Sequence, residues 1–214
     1  MTTTLDWYGC ATFALRTAGL TIMLDAYIDR IAGAAGPRHG DGRSYVADDV
    51  DSCDWIVVGH SHFDHLAGAE RIMANTEATL IGSYESVRLM EQAGIPVERM
   101  ICVGGGETID LGNDVTVSVY PSQHSCVWSR GQMDQPDSVC LGDLGVTWQE
   151  QQERMAELTA WFATLGEAAV GHLRSSAAGH SDRGDGGALV FLFETPDGSI
   201  FYQDTSGQIG RAHV

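Results

Sequence analysis

The amino-acid sequence predicts an α/β domain, in which helices pack on β-sheets. Segments rich in β-branched and aromatic residues alternate with segments of helical period, and glycine and proline clusters separate them. The chain has 214 residues, of which 43% are hydrophobic and 19% charged, so one domain or two small ones can bury a core. The same balance excludes a disordered chain and a coiled coil.

The first third of the chain predicts strands. Segments 12–16 and 20–27 are rich in β-formers, and an Ala-Gly turn at 18–19 separates them. Asp25 ends an apolar run, where a carboxylate either faces water at a strand end or is held in a polar site. The glycine-rich stretch 28–50 has no periodicity, and loops of that length are usually functional or disordered.

The middle of the chain alternates between strands and helices. A short apolar strand at 55–59 is expected to be buried on both faces, and a helix follows from about residue 66 to 74. The next elements are a strand at 78–81, a helix at 84–92 that glycine ends, and strands at 100–103 and 115–120.

The last third contains the clearest helix, at residues 148–165, whose apolar positions fall on one stripe. Irregular sequence at 121–147 precedes this helix, and a Gly/Ser/Ala-rich stretch at 171–187 follows it. Segments 188–194 and 199–202 predict a hairpin, because a Pro-Asp-Gly turn lies between them.

The chain is strongly acidic, with a formal net charge of −17, and it contains no lysine. Nucleic acids and anionic membranes require a positive field, so we expect neither as a partner. The longest fully apolar run, 188–193, is far shorter than the roughly 20 residues that span a bilayer, and the first residues do not resemble a signal peptide. Five scattered cysteines are typical of reduced thiols, which favours a cytoplasmic protein.

Three histidines and one aspartate follow the apolar strand within six residues, as His60-x-His62-x-Asp64-His65. Imidazole and carboxylate groups suit zinc and similar divalent metals. Alternate residues of an extended stretch point the same way, so His60 and His62 can bind one metal, and Asp64 and His65 can face a second site. A solvated histidine-rich loop is the alternative. We call residues 60–65 the histidine motif.

The histidine motif, followed by Gly68, closely resembles the signature of the metallo-β-lactamase superfamily. Other positions match that pattern in chain order. The first strands end in Asp25, a further histidine, His124, follows a later strand, and Asp204 follows a C-terminal strand. The resemblance extends from about residue 5 to residue 208, and the order of the matches gives His124 and Asp204 most of their weight.

The resemblance implies a site with two divalent metal ions. Zinc is the expected metal, and Mn or Fe are alternatives. The implied ligands are His60, His62 and His124 for metal one, Asp64 and His65 for metal two, and Asp204 for both. A metal pair lowers the pKa of a shared water and so provides a metal-bound hydroxide near neutral pH. Asp64 can also accept a proton from this water, as a catalytic residue. Asp25 would orient a ligand histidine by hydrogen bonding.

The resemblance also implies a four-layer αββα sandwich over residues 1–208, with the metal site at one edge. The start of the chain is most similar to the branch with ascorbate-6-phosphate lactonase. Residues 125–187 would form an inserted cover over the site that sets specificity. His172, His180, Arg174 and Arg183 could face the substrate, but the sequence does not decide this.

These observations predict a metal-dependent hydrolase acting on an ester, lactone or related bond of a small molecule. The first alternative is a phosphodiesterase or nuclease of the same superfamily, although the negative charge counts against a polyanionic substrate. A di-iron redox protein usually has a glutamate in place of His62 and an attached flavin domain, and neither is present. A non-catalytic metal-binding fragment is the remaining alternative.

The end of the chain departs from the superfamily pattern, which has one more ligand histidine after a further strand-helix-strand unit. Only ten residues follow Asp204, so we expect the last strand-helix-strand unit and that ligand to be missing. The codons ATC GGA AGA GCA CAC GTC can encode residues 209–214 and resemble a short-read sequencing adapter. We therefore expect these six residues to be a non-native tail, and the uncovered sheet edge to promote aggregation.

Overall fold

The computed structural model describes residues 2–29, 36–124, 147–176 and 187–205. In these residues the chain forms two facing β-sheets, with helices on the outer side of the first sheet. The predicted α/β class and the pair of sheets are confirmed. The predicted tail at 209–214 lies outside the described residues.

The first sheet has six described strands in the order β1-β2-β3-β4-β5-β6. The strands are β1 (Thr4–Gly9), β2 (Thr12–Thr17), β3 (Leu20–Leu24), β4 (Trp55–Val57), β5 (Thr79–Gly82) and β6 (Met100–Cys102). The pairs β1–β2 and β2–β3 are antiparallel, whereas β3 to β6 pair in parallel. Parallel neighbours need crossover connections, and the connections from β4 to β5 and from β5 to β6 contain α-helices.

Three helices lie in the crossovers of the first sheet: α1 (Phe63–Leu66), α2 (Ala69–Asn75) and α3 (Tyr84–Gln92). The helix predicted at 84–92 is confirmed, and the Ser83 side chain caps it by accepting from the Ser86 amide. The single helix predicted at 66–74 is wrong at its start. Gly68 has a φ of 104°, and a Cβ there would lie 2.8 Å from the Ala26 carbonyl oxygen, so the helix breaks at this close contact.

The second sheet is antiparallel in the described residues, in the order β10-β9-β8-β7. Its strands are β7 (Thr108–Gly112), β8 (Val115–Pro121), β9 (Leu189–Thr195) and β10 (Gly198–Gln203). The hairpin predicted near the C-terminal end is confirmed as β9 and β10, and Thr195 closes its turn by donating to the Gly198 carbonyl.

Two apolar cores hold the layers together. Between the first sheet and its helices, completely buried side chains come from both layers: Met23, Ile56, Leu80, Leu66, Ile72 and Met73. Between the sheets, Leu15, Ile22 and Val57 of the first sheet meet Val117, Phe191 and Phe193 of the second. Because both faces of β3, β4 and β5 are covered, these strands are nearly continuous apolar runs.

The predicted insertion contains two described α-helices, α4 (Trp148–Phe162) and α5 (Glu167–Ser176), joined by a single turn of 3₁₀ helix. The prediction of a helix at 148–165 is confirmed, and Thr147 and Glu150 form a capping box at its start. In the Gly/Ser/Ala-rich stretch 171–187, residues 171–176 belong to α5. No helix of the described residues is long and apolar enough to cross a membrane.

Candidate metal centre

The predicted site residues meet at one edge of the sandwich, because each follows the end of a strand. The histidine motif follows β4, Asp25 follows β3, and these neighbouring parallel strands end at the same sheet edge. From the second sheet, His124 comes three residues after β8, and Asp204 comes directly after β10. Residues that are up to 179 positions apart in the sequence are thereby brought into one site.

The first cluster consists of three imidazole rings. His60 Nε2 is 3.1 Å from His62 Nδ1 and 3.1 Å from His124 Nε2. The rings meet nearly at right angles, with interplanar angles of 75–80°, so they point their edges at a common centre. Nitrogen lone pairs this close repel each other unless a proton or a cation lies between them. Zn–N bonds of about 2.0–2.1 Å in a tetrahedral site separate nitrogens by roughly 3.3 Å, which fits these distances.

The second cluster joins His60 and His65 to Asp204, whose ligand atoms all lie within 4.8 Å of one another. Asp204 Oδ2 is 2.6 Å from His60 Nδ1 and 3.3 Å from His65 Nδ1. Asp204 therefore contacts Nδ1 of His60, whereas Nε2 of the same ring faces the first cluster. The structure brings Asp204 into the second cluster and not into the first, and its role as a bridge between two metals stays a prediction.

The environment of Asp204 fits a cation. Among the described residues, Asp204 Oδ1 is a buried side-chain oxygen with no hydrogen-bond partner. A buried acceptor left unsatisfied costs on the order of 1–3 kcal/mol, more when it is charged, and a metal ion would remove this cost. A Cβ on Gly59 would lie 2.1 Å from Asp204 Oδ2, so only glycine leaves room for the carboxylate.

Asp25 is fully buried and lies beneath His65. Its Oδ1 accepts a hydrogen bond from the Gly59 amide at 3.0 Å, and its Oδ2 is 2.6 Å from His65 Nδ1. Burial raises the pKa of Asp25, although the neighbouring His65 acts in the opposite direction. Burial would lower the pKa of His65, but the charge and hydrogen bond of Asp25 outweigh it and raise that pKa to about 10 in the absence of metal. The contact reserves Nδ1 for Asp25 and leaves Nε2 for a ligand.

Asp64 lies at the open side of the site, with its side chain 40% exposed. Its Oδ2 is 3.8 Å from His65 Nε2, the ring nitrogen that Asp25 leaves available. Asp64 and His65 therefore face each other, as expected for two ligands of one metal. In the described residues, no set of three mutually close ligand atoms includes Asp64.

Three residues of the site were not predicted from the sequence. Gly59 supports Asp204, as described above. Tyr202 is 7% exposed, and its hydroxyl lies 2.7 Å from Asp25 Oδ2. Tyr27 packs edge-on against Phe63 of the histidine motif, with ring centroids 5.8 Å apart. Only the alternation of side chains along β10, which places residues 202 and 204 on one side, could have pointed to Tyr202.

His172, whose role the sequence left open, lies next to the site. Its Nε2 is hydrogen-bonded to the Tyr27 hydroxyl, and Tyr27 contacts Phe63. Helix α5 is thus anchored beside the histidine motif. His180 and Arg183 lie outside the described residues, and so does most of the predicted cover, at 125–146 and 177–186.

Comparisons with known proteins agree with this geometry. A family model described as the beta-lactamase superfamily domain matches residues 21–164. A protein of Pyrobaculum arsenaticum named a metal-dependent hydrolase is 30% identical over 121 residues, which are 56% of this chain and 50% of that protein. The chain spans about half the length of the curated relatives that it matches.

Two solved structures share the fold at low sequence identity. The isothiocyanate hydrolase from Delia radicum gut bacteria has a TM-score of 0.51 and 15% identity, over 98% of this chain and 65% of that one. CmlA, a diiron β-hydroxylase from Streptomyces venezuelae, has a TM-score of 0.50 and 14% identity, over 94% of this chain and 29% of that one. The family match includes the histidine motif and His124 and extends over more than half of the chain. The chain therefore belongs to the beta-lactamase superfamily domain family.

Proposed function

We propose that the chain is the metal-binding part of a hydrolase that cleaves an ester, lactone or related bond of a small molecule. The observation that carries this proposal is the pair of clusters around His60, one of three imidazoles and one with the unsatisfied carboxylate oxygen of Asp204. The relatives named metal-dependent hydrolases support it, although the chain spans only about half of their length.

We assign six ligands to two divalent ions. His60, His62 and His124 would hold metal one, Asp64 and His65 would hold metal two, and Asp204 would be a ligand of both. Imidazole and carboxylate ligands favour zinc, with Mn or Fe as alternatives. When bound, the ions supply Lewis acidity and a more acidic water for attack on a carbonyl carbon.

The protein residues have separate tasks in this reaction. Asp64, the most exposed of the assigned acidic groups, accepts a proton from the attacking water. Asp25 holds the His65 ring with Nε2 towards the site. The side chains of His60 and Asp204 are 1% and 0% exposed, so water is excluded behind the site and electrostatic contacts there are strengthened.

The substrate enters from the side on which Asp64 is exposed. Helix α5 is anchored by His172 beside Phe63, and the inserted segment 125–187 to which it belongs would set specificity. The net charge of −17 disfavours a polyanionic substrate, so a small molecule is preferred to nucleic acid. A cytoplasmic location stays a prediction from the cysteines.

The proposal is tested by metal analysis of the purified chain, together with hydrolysis assays on a panel of lactones, esters and phosphodiesters. His60→Ala removes a residue that belongs to both clusters, as a proposed ligand of metal one and as the partner of Asp204. We expect it to lower metal content and hydrolysis by more than the roughly 10–100-fold typical of losing a supporting partner. The matched control is His39→Ala, because His39 stacks on Tyr45 and pairs with Asp49 instead of joining either cluster.

Absence of any transition metal in freshly purified protein, with no change in His60→Ala, would refute the proposal. Cleavage of phosphodiesters but not of lactones or esters would replace it with the phosphodiesterase alternative. Bound metal without hydrolysis of any substrate would support the alternative of a non-catalytic metal-binding fragment.

A further inference from the structure

We infer that Tyr202 is a positioning residue for the second metal: its hydroxyl holds Asp25, and Asp25 in turn holds His65. The inference rests on the proposed function and deepens it, because it adds a residue that controls one of the two metal sites.

Tyr202 reaches the site from the opposite sheet. It lies on β10, is 7% exposed, and packs edge-on against Phe13 of β2 with ring centroids 6.5 Å apart. Its hydroxyl oxygen is 2.7 Å from Asp25 Oδ2 and 2.9 Å from the Ala11 carbonyl oxygen. The hydrogen bond to Asp25 therefore connects the two sheets at the edge where the ligands meet.

The hydroxyl has one proton and two acceptors within reach. A carboxylate is a stronger acceptor than a peptide carbonyl, so the proton is directed to Asp25. Asp25 then receives three hydrogen bonds, from the Gly59 amide, His65 Nδ1 and Tyr202. A carboxylate with three fixed donors cannot rotate, and the His65 ring that it binds keeps one orientation.

Strand β10 thus has two roles at the second metal. Residues 202 and 204 are two apart and point to the same side of the strand. Asp204 is a proposed ligand itself, whereas Tyr202 orients another ligand through Asp25. A small shift of β10 would therefore move a ligand and loosen the support of His65 together.

The main experiment is a zinc titration of the metal-free chain, followed by calorimetry, on the wild type and on Tyr202→Phe. Removing the hydroxyl is expected to weaken binding of the second ion about tenfold, the lower end of the range for supporting partners, and to leave the first ion unchanged. Tyr120→Phe is the matched control, because Tyr120 is 45% exposed on β8. Circular dichroism checks that each variant is folded.

A double-mutant cycle separates positioning from general loss of structure. If Tyr202 acts through Asp25, adding Tyr202→Phe to Asp25→Ala leaves the zinc affinity of Asp25→Ala unchanged, because alanine offers no side-chain acceptor. An additive loss in the double variant contradicts the inference, and so does a Tyr202→Phe chain with unchanged affinity for the second ion. A wild-type chain that takes up one ion only contradicts it as well.

A second measurement needs no variant. Proton NMR of the metal-free wild type is expected to show the Tyr202 hydroxyl proton near His65 Nδ1–H and the Gly59 amide proton. A hydroxyl proton directed at the Ala11 carbonyl overturns the inference, even if Tyr202→Phe does not fold. A wild type that binds no metal refutes the proposed function itself, whereas two bound ions with no effect of Tyr202→Phe refute only the role of the tyrosine.

Discussion

At the scale of single residues, Gly59 and Asp204 show how tightly the atoms of the site are packed. They are 145 positions apart in the sequence, yet a Cβ on residue 59 would lie 2.1 Å from a carboxylate oxygen of Asp204. The contacting atoms belong to a buried, charged group and not to a flexible side-chain end, so the carboxylate itself must move if a methyl group is added.

Gly59→Ala is expected to displace Asp204 and to damage the second cluster. Overpacking of this kind costs about 1–3 kcal/mol, so the urea midpoint of unfolding falls, and zinc content falls with it. Gly104→Ala is the control, because a Cβ on Gly104 meets no atom within 4 Å. Equal metal content and stability in the two variants would contradict the close contact.

The site residues differ in how far the sequence could predict them. The histidine motif is local, so its spacing was enough to predict metal ligands after a buried strand. Asp204 and His124 could be predicted only from their order in a family pattern. Gly59 and Tyr202 could not be predicted, because their roles arise from contacts between strands of different sheets, and neither residue type indicates metal chemistry by itself.

At the scale of elements, the loop after β3 is more ordered than its composition indicates. The sequence predicted a functional or disordered loop at 28–50. In residues 36–50, Asp49 accepts two hydrogen bonds from Arg43 at 2.8 and 3.0 Å, one from the Val46 amide and one from His39. The hydrogen bonds from Arg43 are the main reason that the pKa of Asp49 lies far below its ordinary value.

This network predicts a dependence of stability on pH. A carboxylate whose pKa is lowered by folding stabilises the fold above its unfolded pKa of about 3.9, and this contribution is lost as the pH falls towards the folded pKa. Asp49→Asn is therefore expected to lower the urea midpoint at pH 7 by roughly 0.2–0.5 M, because the pair is near the surface. The difference from the wild type should shrink below about pH 4.

The control for this experiment is Asp51→Asn, which changes an exposed aspartate two residues further along the chain. It is expected to leave the midpoint nearly unchanged at both pH values. A difference between Asp49→Asn and the wild type that stays constant from pH 7 to pH 3 would show that charge plays no part.

Elements were predicted well where packing follows a simple period. Helix α3 has the predicted bounds, because its buried positions recur with helical period and serine caps it. Strands β1 and β7 lie at sheet edges and were not predicted as separate elements, although apolar and polar residues alternate in both. Helix α5 was not predicted as an element, and one glycine and two serines at residues 171–176 lower its helix propensity.

At the scale of the whole molecule, six described strands face only four. Leu5 pairs with Leu15 and Trp7 with Phe13 in the antiparallel register, so these side chains point from β1 towards the second sheet. Leu15 is fully buried there, but Leu5 and Trp7 are 49% and 47% exposed. The described part of the second sheet therefore leaves the inner face of β1 uncovered.

An uncovered apolar strand at a sheet edge promotes self-association. Replacing both Leu5 and Trp7 with threonine keeps the β-propensity and removes the apolar face, so the chain is expected to associate less in sedimentation velocity and light scattering. Val97→Thr is the control, because Val97 is 62% exposed outside this face. Equal association in all three proteins would show that β1 is not the contact surface.

The family pattern explains why the general architecture could be predicted and the details could not. The order of strands, histidines and aspartates along the chain specifies two sheets with the proposed ligands at one edge. It does not specify that α5 is anchored to Tyr27 by His172, because His172 belongs to the inserted segment. The substrate depends on the same segment, and most of it lies outside the described residues.

His60 contacts both clusters, one through each ring nitrogen. Nε2 faces His62 and His124, and Nδ1 contacts Asp204. A cation bound at Nε2 withdraws electron density from the ring and makes Nδ1–H a better donor to Asp204. In the proposed two-metal site, occupancy of the two clusters would therefore be thermodynamically linked, and by reciprocity each ion would change the affinity for the other by the same factor. Binding of the two ions would then be a coupled equilibrium, with one imidazole ring as the link.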